Sequence, residues 1–144
     1  MIHRITPPEA QALLEQGWRY LDVRTEQEFA QSHPAGALNI PFMHAGPSGL
    51  SPNPDFLKVA QAVLARDSKL VVGCLGGGRS IKAAQALEAN GYAQLVDQRC
   101  GFGGTRTPQG TPEAGWAAQG LPVEAGAPKG RSYADLLAQA SGAK

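Results

Sequence analysis

An α/β layer fold built on a mainly parallel sheet is what this chain of 144 residues predicts. Three observations carry the prediction. Short apolar runs alternate with segments of helical periodicity from the first residues to about Val96. The run Leu70-Val71-Val72-Gly73 is apolar throughout, as a parallel strand covered on both faces must be. The 18 glycines and 11 prolines fall mainly in the connections rather than in the periodic segments.

Taken in order, Ile2 to Ile5 is a short strand. Thr6 caps a helix with Pro7 at its first position and Glu9 at capping-box spacing. Ala10, Leu13 and Leu14 recur at helical spacing, and Gly17 ends the run. Tyr20 to Val23 reads as a buried strand, and Thr25 caps a short helix over Glu26 to Gln31. Leu38 to Ile40 is a strand stopped by Pro41. Met43 to Pro54 holds three prolines and two glycines and reads as a loop. Asp55 to Ala65 is a helix with Phe56, Val59, Val63 and Leu64 inward. Arg79 to Asn90 is another, with Ile81, Ala84 and Leu87 inward and Asn90-Gly91 as its stop. Tyr92 to Val96 is the last well-marked strand. Gly101 to Gly115, rich in Gly, Thr and Pro, reads as an extended loop. Trp116 is expected to pack on the core in a short helical turn. Glu124 to Gly130 reads as a linker, and Ser132 caps a final helix over Tyr133 to Ala140 before a frayed end. The expected organisation is one domain over residues 1–124 followed by a tail, residues 125–144, with a short helix.

Composition excludes several classes. A net charge of +1 with 17% charged residues provides no basic field for nucleic acid or a membrane surface. No apolar run approaches the roughly 20 residues that cross a bilayer. The opening MIHRITPPEA lacks a signal-peptide core, so a cytoplasmic location is expected. Cys74 and Cys100 do not make a disulfide scaffold, and their separation, with only His3, His33 and His44 available, matches no zinc spacing. No metal is expected.

The most informative stretch is Cys74-Leu75-Gly76-Gly77-Gly78-Arg79-Ser80. It lies between an apolar strand and a helix, where α/β sheets place their ligands. Gly76, Gly77 and Gly78 let the loop turn its amides inward. Arg79 and Ser80 open the helix, whose dipole favours an anion. A cysteine there is a candidate nucleophile held as thiolate.

That loop resembles the active-site loop of rhodanese-like sulfurtransferases, whose single-domain members often read C-x-x-G-x-R-S. Leu21-Asp22-Val23-Arg24, then Glu28-Phe29, then Ser32-His33-Pro34-Ala35-Gly36-Ala37-Leu38-Asn39-Ile40-Pro41 resemble the family's upstream signature. Trp116 with Gly120-Leu121-Pro122-Val123 resembles its closing motif. The likeness runs from about Ile2 to Val123. It implies a central, mainly parallel five-stranded sheet flanked by helices on both faces. It also implies that Cys74 takes sulfane sulfur from a small anionic donor such as thiosulfate and carries it as a persulfide, with no separate cofactor. A thiophilic acceptor (cyanide, a thiol or a protein) then receives it. Leu75 to Ser80 would hold the outer sulfur. The alternative is a sulfur-relay or partner-binding module with little small-molecule turnover. Phosphatase or arsenate-reductase loops read C-x5-R, whereas Arg79 stands five positions after Cys74, so the cradle is one residue tighter.

Around the loop, Asp22 and Arg24 are possible supporting residues, with a structural ion pair favoured over a catalytic role and Glu28 the expected partner of Arg24. Arg79 is expected either beside the nucleophile or turned outward to a carboxylate. His33 reads as a packing residue, and Trp18 and Trp116 as core aromatics. Ser32 and Pro34 depart from the family pattern. So does the spacing of Gly103-Gly104 to Trp116, which leaves two readings: Thr105 to Glu113 is an insertion, or Cys100-Gly101 takes the Gly-Gly place. Either way Arg99 and Arg106 are expected to border the site and add positive potential. Cys100 reads as an inert thiol in preference to a redox partner. Leu75 and Gly76 are uncharged, so the loop itself does not favour thiosulfate strongly.

Overall fold

A computed structural model describes residues 2–142; Met1 and the last two residues of the expected tail lie outside the described residues. The chain runs β1 (His3–Ile5), α1 (Pro7–Glu15), β2 (Arg19–Asp22), α2 (Glu26–Gln31), β3 (His33–Pro34), β4 (Leu38–Asn39), β5 (Met43–Gly46), β6 (Gly49–Pro52), α3 (Phe56–Val63), β7 (Lys69–Gly73), α4 (Gly78–Ala89), β8 (Gln94–Gln98), β9 (Thr105–Arg106), β10 (Pro112–Glu113), β11 (Val123–Glu124) and α5 (Tyr133–Gly142). Five strands form the central sheet in the order β1-β8-β7-β2-β4. All of its pairings are parallel.

The apolar pattern explains the layers. Leu70 and Val72 of β7 face one way, into a cluster with Phe56, Val59, Ala83, Ala84, Leu87 and Leu136 from α3, α4 and α5. Val71 faces the other way, into a cluster with Ala10, Tyr20, Phe29 and Trp116. Both capping boxes predicted from Thr6-Glu9 and Thr25-Glu28 are formed, each with reciprocal hydrogen bonds. The helix of the tail belongs to the core: Tyr133 and Leu136 are buried, and the Tyr133 hydroxyl accepts a hydrogen bond from Asn53 Nδ2. The segment before it is anchored where the Arg131 carbonyl accepts from the Asn39 amide at 2.9 Å.

Three local expectations are corrected. Met43 to Pro54 is not an irregular loop, because β5 and β6 pair as an antiparallel hairpin around Pro47-Ser48. Its strands are largely exposed, and the apolar alternation that pairs Met43 with Pro52 and Ala45 with Leu50 is short and interrupted by glycine and proline, so it gives only a weak strand signal. Gly101 to Gly115 likewise contains a two-stranded ladder, β9 with β10. Ile81 is only partly buried and faces a surface cavity, while Ala83 takes the inward place in α4.

Two contacts tie the layers together near the carboxyl ends of the strands. A Cβ at Gly73 would overlap the Tyr20 hydroxyl and come within 2.6 Å of its ring carbon Cζ, so Tyr20 occupies the space a side chain would need. Arg79 of α4 forms a two-pronged pair with Glu28 of α2, at 2.8 and 3.1 Å. Burial pushes the Glu28 carboxyl up, but Arg79 and the capping box outweigh it and hold the pKa at about 2.

Gly73→Ala is therefore expected to destabilise the fold by about 1–3 kcal/mol in denaturant titration. Gly78→Ala, which meets open space, is expected to be neutral or mildly stabilising. A carboxylate with a lowered native pKa stabilises above its ordinary value, here 4.5, and loses that contribution as pH falls toward about 2. Melting temperature should fall through that window, and Glu28→Gln should flatten the fall.

Candidate active site

Gly73, the last residue of β7, is in register with Asp22 of β2, and Asp22 pairs with Asn39 of β4. These strand ends form the carboxyl edge of the sheet. Cys74 follows immediately and is buried at 2% exposure. Three groups converge on its sulfur. The Gly77 N–H donates to Sγ at 3.1 Å and the Ser80 N–H at 3.3 Å. The thiol itself reaches the Ser80 hydroxyl oxygen at 3.4 Å. Gly77 and Ser80 belong to the start of α4, where backbone N–H groups have no partner within the helix, so the sulfur satisfies donors that the helix leaves free.

Gly77 makes this closure possible. Its φ is +95°, and a Cβ there would overlap the Arg99 carbonyl oxygen and sit 3.0 Å from Arg4 Nη2. The turn after β8 braces the loop from behind. Phe102 N–H donates to the Cys74 carbonyl at 2.7 Å, and Gly103 N–H to the Leu75 carbonyl at 2.9 Å. That turn is built by Gln98, which the sequence reading did not single out. Its Oε1 accepts from the Cys100 and Gly101 amides, and its Nε2 donates to the Gly101 carbonyl and the Tyr20 hydroxyl. The only signal for it was a polar residue closing an apolar strand. Asp97 and Arg4 were missed as well: Arg4 Nε meets Asp97 Oδ2 at 2.7 Å while its Nη2 holds the Gly77 carbonyl at 3.0 Å.

Of the residues singled out in sequence, Cys74, Gly77 and Ser80 come together. Leu75 turns its side chain outward and is 44% exposed. It lines a hollow of about 260 Å³ with Arg24, Glu28, Gln31, Ser32 and Phe102. Gly76 and Gly78 instead border a second, more open cavity of about 650 Å³, walled opposite by Arg4, Arg99 and Arg106. Arg79 points away from the sulfur, to Glu28. The partner of Arg24 is consequently not Glu28, as expected, but Asp22, in a buried pair at 2.8 Å. The Arg24 guanidinium also lies 4.5 Å from the Phe102 ring centroid. Arg106 reaches the cavity wall, with one N–H spent on the Gly110 carbonyl of its own hairpin. His33 is a packing residue, stacked on Phe29 and hydrogen-bonded to Glu124. Cys100 is buried and faces Glu113, and burial followed by that carboxylate pushes its thiol up.

The longer loop that both readings of the glycine spacing require is present as an excursion of the chain. The chain leaves at Gly104 and returns at Gly115 to the same place: a Cβ at Gly115 would come within 2.8 Å of the Gly101 carbonyl oxygen and overlap the Gly104 nitrogen. The excursion between them is the β9–β10 hairpin. Trp116 then resumes the core, fully buried, edge-on to Tyr20 and donating to the Pro122 carbonyl.

Comparison with known proteins agrees with this geometry. Residues 6–104 match the family described as the Rhodanese-like domain, so the match stops where the hairpin begins. The chain is 42% identical over 116 residues to "Thiosulfate sulfurtransferase 16, chloroplastic" of Arabidopsis thaliana, covering 81% of this chain and 88% of that one. It is 43% identical over 93 residues to "Protein HIGH ARSENIC CONTENT 1, mitochondrial" of the same plant, covering 65% of this chain and 55% of that one. Among solved structures, Rv0390 from M. tuberculosis superposes with a TM-score of 0.72 at 26% identity, over 86% of this chain and 98% of that one. With a family match over most of its length and the five-stranded parallel sheet in place, the chain belongs to the rhodanese-like domain family.

Proposed function

We propose that the protein is a sulfurtransferase that carries sulfane sulfur as a persulfide on Cys74. The observation that carries this reading is the convergence of two backbone amides and one hydroxyl on a single buried sulfur. Such a cup suits a sulfur anion without a charged side chain: the two amides donate to the sulfur, and the hydroxyl, which accepts from the thiol, can turn to donate once that proton has left.

In the first half-reaction the Cys74 thiolate attacks the outer sulfur of a donor such as thiosulfate. The donor's S–S bond breaks and sulfite leaves with the bonding pair. In the second, a thiol, cyanide or a protein nucleophile attacks the outer sulfur of the persulfide, and Cys74 departs as thiolate. Two displacements at sulfur replace one transfer between free reactants. The relative named as a thiosulfate sulfurtransferase supports the donor class. Phosphate- or arsenate-directed chemistry fits less well, because the loop is one position short and Arg79, which would bind the oxyanion, is engaged by Glu28.

Incubation with thiosulfate should add the mass of one sulfur to the intact protein. Cyanide should remove it, and Cys74→Ser should abolish it. Absence of the gain with both thiosulfate and mercaptopyruvate would favour the relay or binding module instead. For donor preference, Leu75→Lys places a cation beside the nucleophile and should raise kcat/KM for thiosulfate roughly three- to tenfold, the effect of a partly screened charge of about 1 kcal/mol. Arg106→Ala should lower it by a similar or smaller factor. Both are read from steady-state rates at low ionic strength.

A further inference from the structure

The larger of the two hollows beside the cysteine loop is built for more than a small inorganic anion. Its volume is about 650 Å³, against about 260 Å³ for the hollow at Leu75. Arg4 of β1, the loop at Gly76 to Gly78, α4 at Ile81, Arg99 after β8 and the β9–β10 hairpin all wall it. A cavity bounded from so many sides suits a small molecule rather than a flat protein surface, and its volume lies in the range of organic-ligand sites. An oxyanion such as thiosulfate fills only a small part of it.

Three guanidiniums line this cavity, and each keeps N–H groups without a partner among the described residues. Arg106 gives one Nη1 proton to the Gly110 carbonyl at 2.8 Å and forms no ion pair among the described residues. Its Nε and Nη2, the edge that grips a carboxylate with two parallel bonds, are open. Arg99 spends Nη2 on Glu113 at 2.8 Å and keeps Nε and Nη1. Arg4 spends Nε on Asp97 and Nη2 on the Gly77 carbonyl and keeps Nη1. With the carboxylates of Asp97 and Glu113 set against the three arginines, one net positive charge remains. The sulfur is close by. Gly77 lines the cavity and gives its N–H to Cys74 Sγ at 3.1 Å, so a single residue stands between the two.

We propose that this cavity seats the sulfur acceptor, and that the acceptor is a low-molecular-weight thiol bearing carboxylates, held by Arg99 and Arg106. The inference rests on Cys74 carrying sulfur as a persulfide and adds the class of molecule that removes it. A guanidinium fork fixes the direction of a planar carboxylate as well as neutralising it, so the thiol arrives oriented. The acceptor reacts as thiolate, its proton left to solvent. A bond forms between its sulfur and the outer sulfur of the persulfide as the bond from that outer sulfur to Cys74 breaks. Cys74 departs with the bonding pair as thiolate, and the acceptor leaves as an anionic persulfide. No external oxidant or reductant is needed.

The β9–β10 hairpin acts on this site in two opposite ways. Arg106, in register with Pro112, supplies an unpaired cation, while Glu113, the next residue, engages Arg99. Removing the Arg106 guanidinium therefore weakens the hold on an anion. Removing the Glu113 carboxylate releases Arg99 and strengthens it. Arg4 is a poor place to intervene, because its Nη2 also holds the Gly77 carbonyl of the cradle.

Binding and discharge are measured separately. Tricarballylate, rich in carboxylates and without a thiol, should bind the Cys74→Ser protein saturably in calorimetry. Its affinity should fall about fivefold in Arg106→Ala and rise about two- to fivefold in Glu113→Gln. Next, protein loaded with sulfur from thiosulfate and freed of the donor is mixed with mercaptosuccinate or with 2-mercaptoethanol, and loss of the extra mass is timed. The ratio of the charged-thiol rate to the neutral-thiol rate should drop about fivefold in Arg106→Ala, drop less in Arg106→Lys, and rise in Glu113→Gln. Arg106 is exposed, so these replacements leave the core untouched. A ratio that is the same in the parent and all three variants would overturn the proposal, as would tricarballylate binding that is blind to Arg106 and Glu113. Failure of the parent to gain sulfur, with tricarballylate binding still dependent on Arg106, would overturn the sulfurtransferase reading and leave an anion site with no acceptor role.

Discussion

The close approach of the Gly77 backbone to the Arg99 carbonyl and the Arg4 guanidinium is the contact on which the site depends. It lets the chain turn back on itself after Cys74 and enter α4 with the Gly77 and Ser80 amides aimed at one sulfur. A side chain at position 77 would clash with backbone that cannot move without displacing β8. The turn after β8 answers from the other side, donating to the Cys74 and Leu75 carbonyls. The cup is therefore a joint product of β7, α4 and the β8 turn. Its amides are oriented before any substrate arrives, which is the condition for electrostatic stabilisation without reorganisation.

Around this contact, charges are largely paired off. Asp22 holds Arg24, Glu28 holds Arg79, Glu113 holds Arg99, and Glu124 holds both Arg131 and His33. The Glu28–Arg79 and Glu124–His33 contacts join elements distant in sequence, whereas Asp22–Arg24 and Glu124–Arg131 are local. Anion attraction near the loop is left to backbone dipoles and to the residual N–H groups of Arg4, Arg99 and Arg106 at the larger cavity. The β9–β10 hairpin supplies the last of these.

Much of this was legible in the chain. The capping boxes at Thr6-Glu9 and Thr25-Glu28, the apolar β7 and the Cys74–Ser80 loop are local patterns, and local patterns survive folding when tertiary contacts agree with them. Glu28 shows the limit. Its spacing to Thr25 marked it as a capping residue, but nothing local announced that its carboxylate also takes Arg79, 51 positions later. Arg24 was assigned the wrong carboxylate for the same reason. The exposed hairpin β5–β6 escaped detection because its strands are short, largely exposed and crowded with glycine and proline.

Sequence alone determined the sheet class, the cysteine loop and the family, because strand periodicity, a Gly-rich turn and a helix start are written in adjacent residues. Tertiary structure alone decided which side chains stand behind the Cys74 loop. Arg4 and Gln98 brace the turns around the Cys74 loop, and Asp97 holds Arg4, only because β1 and β8 lie beside β7 in the sheet, an adjacency that no residue encodes by itself. It also decided that Thr105 to Glu113 is an excursion, since only the meeting of Gly104 and Gly115 in space shows where the chain rejoins itself. Short-range order is set by neighbours along the chain, and a site assembled from parallel strands is set by neighbours across the sheet.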